Sequence, residues 1–343
     1  MISATDNGTS TGTEPTVARL LHIANGTSTT ALIERAGIGG ERSIWADSLH
    51  DGPVPGGLSD AQLVAVRAAH IAAEHGATDA AGELIRWRAV IDAHAEYDEI
   101  VLWFEHDLFD QLNLVHILSY LNATVPLFTP VSLICIGSFP GRERFKGLGE
   151  LEPRDIGSLL ATRRPVTRVQ YDLAKAAWTA FRASRPVHLE ELVHGDTAAL
   201  PYLAPALRRH LQEFPWTSDG LTRTERRVLT LALGDPIEIR AAFARMHDDE
   251  TAFFIGDSSF WSLVRDLASS SPALVELTTE GGAAALPRAT IALTDAGRSV
   301  MRGDADRITL CGIDRWLGGV HLSSSTGLWR WDASRSRLVG TAS

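Results

Sequence analysis

Lysine is almost missing from this sequence: of its 32 basic residues only Lys146 and Lys175 are lysines, a bias that points to a GC-rich coding sequence and to no function. Cysteine is equally scarce. Cys135 and Cys311 are too few for a disulfide scaffold or a cysteine-based zinc site. No run approaches the roughly 18 consecutive apolar residues of a membrane helix, so a helical span is excluded. The N-terminus lacks both a basic start and an apolar core segment. Met1 to Pro15 is rich in Thr, Ser, Gly and Asn, so residues 1–17 are expected to be a disordered tail and not a signal peptide. The expected compartment is the cytoplasm. An excess of positive charge is absent too: 42 acidic residues give a net charge of -10, which works against non-specific nucleic-acid binding and anionic membranes. What remains is a globular composition, 343 residues with 45% hydrophobic and 22% charged, enough for one large domain or two to three ordinary ones.

Along the chain, Ala18 to Asn25 is an apolar run stopping at Gly26, which reads as a buried strand entering a tight turn. Thr27 to Thr30 suits a helix N-cap, and Gly37 suits the C-cap of a helix ending near Ala36. Ser43 to Leu49 reads as a short strand before a loop enforced by Pro53 and Pro55, and Ser59 to Ala95 as two Ala-rich helices. Glu99 to Phe104 and Val131 to Gly137 are further strands, with Leu108, Leu112, Val115, Leu118 and Leu121 recurring at helical period between them. This alternation is that of an α/β domain over residues 18–152, an open parallel sheet with covering helices. Residues 153–220 read as a helical connector, with Pro215 to Gly220 as linker.

From Leu221 to about Arg302 the pattern is three helices and a β-hairpin, a C-terminal winged helix, followed by a tail to residue 343. The first helix opens on a Thr222-to-Glu225 capping box. The expected recognition helix, Ser258 to Leu267, carries Phe260, Trp261 and Leu263 but only Arg265 as a base. From Leu221 to Ser343, 14 arginines and no lysine stand against 15 acidic residues, a balance of -1. A DNA reader shows a basic face, so DNA is not the favoured partner. The apolar helix is expected to pack on the α/β domain or on a second subunit of a homodimer.

His22-Ile23 with Asn25-Gly26 and Ser28, then Asp47-Ser48-Leu49 with Gly52-Pro53, then Trp103 to Leu112, resemble a bacterial family catalogued as domain of unknown function 1835. Gly147 to Leu151 and Ile313 to Leu322 are similar to its longer members. The resemblance covers nearly the whole chain after the tail. It implies relatives and no activity. Members often carry Asp at the position of Thr27, which removes any role for an acidic side chain there.

Ligands of open parallel sheets bind outside the carboxyl ends of the strands. Here three such ends carry Asn25, Gly26, Thr27 and Ser28; then Asp47, Ser48, His50 and Asp51; then Glu105, His106 and Asp107, with Asp110 and Gln111 a turn later. The expectation is that they converge on one rim. Gly26 and the amides after it suit an anion, although a simple N-cap explains the same residues. Glu105, His106 and Asp107 are the expected catalytic groups for acid–base chemistry. Acidic residues opening a helix also have the plainer explanation of the helix dipole. A divalent metal (Mg, Mn, Zn or Fe) is the cofactor such a rim suits, with His106, Asp107 and His50 as ligands. A Ser28 nucleophile is superficially suggested by an esterase family's Gly-Asp-Ser block and the Asp47/His50 spacing, but chain order and Thr27 argue against it. His22, alone in an apolar run, is expected to be a hydrogen-bonded core residue. Arg315, with Asp314 and His321, is either an anion clamp folded over the rim or part of an ion pair between domains. Arg142, Arg144 and Lys146 are expected to be a solvated loop. The function these residues point to is a hydrolase or group transferase acting on a small anionic, phosphate- or nucleotide-like substrate. The alternative is a ligand-sensing transcriptional regulator.

Overall fold

The computed structural model describes residues 18–126, 129–248, 250–278, 289–323 and 328–340; the tail expected at residues 1–17 lies outside them. The chain begins with β1 (Leu20–Ala24), α1 (Thr27–Arg35), β2 (Glu41–Ile44), a two-residue β3 (Gly52–Pro53), α2 (Asp60–His75) and α3 (Ala80–Asp92). It continues with β4 (Glu99–Glu105), α4 (Leu108–Thr124), β5 (Val131–Ile136), α5 (Pro153–Leu160) and β6 (Arg164–Pro165). The apolar runs form the three central strands of a five-stranded sheet of order β2-β1-β4-β5-β6, parallel except for the β5–β6 edge, with the short polar β2 and β6 at its margins. Strands without polar alternation must bury both faces, and the central ones do. Leu21, Ile23, Ile100, Leu102 and Phe104 enter one apolar core, while Ala24, Val101, Trp103 and Ile134 enter a second on the opposite face with Leu32 and Ile33 of α1. The chain steps from β1 outward to β2 and returns on the other side of β1 to form β4. The crevice between the β1 and β4 ends is therefore the point where strand order reverses.

Two local expectations change. The strand read over Ser43–Leu49 ends at Ile44. Trp45 still donates its amide to the Ala24 carbonyl at 2.9 Å, but the chain then turns at Asp47, whose carboxylate is bound by Arg67. The N-cap of α1 is Gly26, which has no side chain to cap with, and the Thr29 hydroxyl donates to Asn25 Oδ1 at 2.9 Å.

The connector folds as α6 (Arg168–Phe181), α7 (Val187–His194) and α8 (Leu203–Leu211), with α6 packed along α4. Then come α9 (Arg223–Leu231), β7 (Ile237–Glu238), α10 (Ile239–Met246), α11 (Asp257–Ser269), β8 (Val275–Thr278) and β9 (Thr290–Leu293), the strands forming an antiparallel sheet of order β7-β9-β8. After α12 (Asp295–Arg302) and α13 (Arg307–Cys311), the segment read as a tail is itself structured: β10 (Asp314–Gly318), β11 (Val320–Ser323), β12 (Trp329–Asp332) and β13 (Arg337–Gly340). β10 pairs with β3, so the C-terminal segment is joined to the loop after β2. Gly318 and Gly319 make this junction possible. Gly318 has φ 60°, and a Cβ on Gly319 would come within 1.9 Å of the Arg182 carbonyl. Among the described residues no helix is long and apolar enough to cross a membrane.

Candidate functional site

The crevice between β1 and β4 holds three carboxylates. Glu105 closes β4, Asp107 caps α4 by accepting the Asp110 amide at 2.9 Å, and Asp110 lies in the first turn. One ligand atom from each lies within 4.8 Å of the others, and all three side chains are buried. Internal donors reach each of them. Asn25 Nδ2 donates to Glu105 Oε1 at 3.0 Å and to Asp110 Oδ2 at 2.9 Å, tying the β1 and β4 ends together. The Leu148 amide donates to Glu105 Oε1 at 2.6 Å and the Glu105 amide to Asp110 Oδ1 at 2.7 Å. Gly147 lets this covering loop approach, since a Cβ there would meet Glu105 Oε2 at 2.4 Å. Gln111 donates to the Glu105 carbonyl at 2.6 Å. Burial first, and the neighbouring carboxylates second, raise the pKa of Glu105 and Asp110; burial raises that of Asp107. Such a group holds protons or a hard, oxygen-seeking cation.

His106 does not join it. Consecutive residues of an extended chain point to opposite sides, so the imidazole between Glu105 and Asp107 turns away. Its Nε2 lies 3.2 Å from the Thr251 carbonyl, with Phe145 and Tyr202 beside the ring. The ligand set His106, Asp107 and His50 is therefore not assembled; among the described residues Glu105, Asp107 and Asp110 are the group with metal-ligand spacing.

The end of β2 takes a different course. Asp47 is 4% exposed and Arg67 1%, with the guanidinium donating to both carboxylate oxygens, closest at 2.7 Å. Arg67 also donates to the carbonyls of Asp51 at 2.7 Å and Ser48 at 3.1 Å, and Asn113 grips the Asp47 backbone from α4. Asp47 is thus the anchor of a loop, and that loop presents His50 and Asp51 to a cavity of about 690 Å³. The cavity lies between the β3 loop, α2, α9, α11, α13 and β10, within the size range of small-molecule sites.

His50 is 9% exposed and neither ring nitrogen has a hydrogen-bond partner; Phe109 and Phe254 flank the ring edge-on. Burial pushes its pKa down to about 4. Burial opposes ionisation of Asp51, but His70 Nε2 at 3.4 Å and the Arg315 charge outweigh it and hold the carboxyl below its usual range. Arg315 lines the same cavity. Its guanidinium has no hydrogen-bond partner among the described residues, and Glu225 lies 3.7 Å away. The ion pair joins α9 to β10, both within residues 221–343, and is therefore not one between the expected domains. Arg307 likewise stands 3.7 Å from Glu225.

The remaining predicted residues are placed simply. His22 is a satisfied core residue: Trp103 Nε1 donates to its Nδ1 at 3.1 Å, and its Nε2 meets the Gly39 carbonyl at 3.1 Å. Thr27 and Ser28 are exposed at the start of α1, and no Asp47–His50 pair forms to activate a serine. Asp314 and His321 pair at 2.6 Å. Arg142, Arg144 and Lys146 are exposed, as expected of a solvated loop. The rim is therefore divided: Asn25, Glu105, Asp110 and Gln111 form a closed cluster, whereas His50, Asp51 and Arg315 face the cavity. Sequence reasoning missed Arg67, His70, Glu213, Asp266 and Arg307. A signal existed for Arg67, because Leu63, Val64, Arg67 and Ala68 share the buried side of α2. No family model matches the chain, and no curated protein matches it.

Proposed function

We propose that the chain is an enzyme, a hydrolase or group transferase, whose small anionic substrate occupies the cavity with His50 as general acid–base and Arg315 and Arg307 receiving the anionic group. The observation that carries this reading is the imidazole of His50, buried without a partner at the cavity wall. Leaving buried polar atoms unsatisfied costs about 1–3 kcal/mol, a cost that a bound ligand offsets. The neutral ring offers a lone pair as base. An anion bound beside it raises its pKa from about 4 toward the range where proton transfer is efficient. A divalent cation, where the reaction recruits one, has its spacing at Glu105, Asp107 and Asp110.

The order α9-β7-α10-α11-β8-β9 supports the reading of a winged helix, and its use distinguishes enzyme from regulator. The expected recognition helix, α11, buries Phe260, Val264 and Leu267 and turns Ser259, Ser262 and Asp266 to the cavity. A helix serving as a cavity wall favours the enzyme; no duplex binding at low salt is the expected result. Kinship with the domain of unknown function 1835 family is part of the proposal. The blocks that carry the resemblance are those the fold spends on Asp47, the Glu105–Gln111 cluster and the Gly318-Gly319 junction. Two free cysteines suit the cytoplasm as the compartment.

The experiment is a turnover screen with phosphomonoesters and nucleotides, repeated on His50→Leu. Loss of about 10²–10⁴ in rate with an unchanged melting profile supports the assignment. Full activity in His50→Leu removes it.

A further inference from the structure

The cavity is not electrostatically uniform. Its lining carries Asp51, Glu74, Glu213, Glu225, Asp266 and Asp314 against Arg307 and Arg315, an excess of four negative charges. A purely anionic ligand would enter against that field. Most of these carboxylates are engaged: Glu213 with Arg209, Glu225 with Arg307 and Arg315, Asp314 with His321, and Asp51 with His70 at 3.4 Å. Glu74 on α2 and Asp266 on α11 are exposed and have no ion-pair partner among the described residues. They feel one another: partial desolvation first, then the Glu74 charge, raises the pKa of Asp266 against the opposing charge of Arg315. The same cavity is lined by the His50 imidazole, whose ring nitrogens have no hydrogen-bond partner, and by the Arg315 guanidinium, held by Glu225 only at 3.7 Å.

We propose that the ligand of this cavity is a zwitterion, with a phosphate or carboxylate at Arg307 and Arg315 and an amine between Glu74 and Asp266. This rests on the reading of the cavity as the substrate site. The two free carboxylates supply what an ammonium group needs, and the amine cancels the repulsion that a bare anion meets. Selectivity then comes from the pair of charges, because a neutral or purely anionic analogue brings no cation to Glu74 and Asp266.

Calorimetric titration tests it with inorganic phosphate, O-phosphoethanolamine and its three-carbon homologue, 4-aminobutyrate, and the N-acetyl derivative of each amine. In the wild-type chain at least one amine binds about ten-fold or more tighter than its N-acetyl derivative. E74Q/D266N loses that preference and keeps or improves binding of the acetylated anion. R315M weakens both. Equal or tighter binding of every acetylated analogue by the wild type overturns the zwitterion and leaves the cavity reading standing. No binding of any probe, or binding that R315M and His50→Leu leave untouched, overturns both.

Discussion

The Glu105–Asp107–Asp110 cluster and the His50–Arg315 cavity both bury ionisable side chains beside the parallel sheet, yet they are built in opposite ways. In the cluster, donors from Asn25, Leu148 and the α4 backbone converge on the carboxylates, and the Gly147 loop closes over them. In the cavity wall, an imidazole has no hydrogen-bond partner and a guanidinium is held only by an ion pair to Glu225 at 3.7 Å. The first arrangement locks β1 to β4 and fixes the start of α4. The second leaves hydrogen-bonding capacity for something else. Buried polar groups satisfied from within hold the fold, whereas an unpartnered one at a cavity wall leaves capacity for a ligand.

The largest effect is expected where the two regions share a support. Arg67→Met leaves Asp47 buried and unpaired beneath the cavity loop, which costs about 3–5 kcal/mol in urea unfolding. A loss under about 1 kcal/mol would mean that the loop is not held by this pair. Glu105→Gln separates the regions by pH. Carboxyls that bind protons more tightly when folded stabilise the fold fully below the ordinary carboxylate range, and the contribution is lost as pH rises toward about 8 for Glu105. His50 and His210, held down to about 4 and about 3, act in the opposite direction but only below the usual imidazole value of 6.5. Between about pH 6.5 and 8, therefore, stability falls by up to about 1.4 kcal/mol per pH unit per proton. Glu105→Gln, whose amide can sit where Oε2 does, flattens that slope. An unchanged slope in the variant contradicts proton storage in the cluster.

A smaller change in stability is expected on the cavity side. His50→Leu removes two unsatisfied nitrogens from between Phe109 and Phe254, so unfolding free energy shifts by less than about 1 kcal/mol while turnover falls. A large destabilisation would assign His50 to structure. Smallest of all, Lys146→Ala on the loop surface changes stability by less than about 0.5 kcal/mol in the same denaturant assay.

Much of the sheet was legible because apolar runs without alternation admit few placements, and Trp103, Leu102 and Val101 occupy the buried strand they suggest. His22 was legible for the same reason: inside such a run a polar group must be hydrogen-bonded. The division of the rim was not. Which of Glu105, His106 and Asp107 face one way depends on the backbone angles of two residues at a strand end, and the sequence pattern is silent on those. The cavity was harder still, because its walls come from β3, α2, α9, α11, α13 and β10, and β10 reaches β3 through a two-residue pairing that leaves no periodicity to read. Arg315 was noticed for its polar setting within a Gly- and Trp-containing segment, and that segment does fold back.

One measurement decides between the regions: calorimetric binding of phosphate and phosphomonoesters by wild type, Glu105→Gln and His50→Leu side by side. The cavity account predicts that Glu105→Gln binds as the wild type does and that His50→Leu, which loses the group beside the anion, binds more weakly. Binding retained by His50→Leu and abolished by Glu105→Gln, with both variants folded, would place the site at the carboxylate cluster and contradict the account.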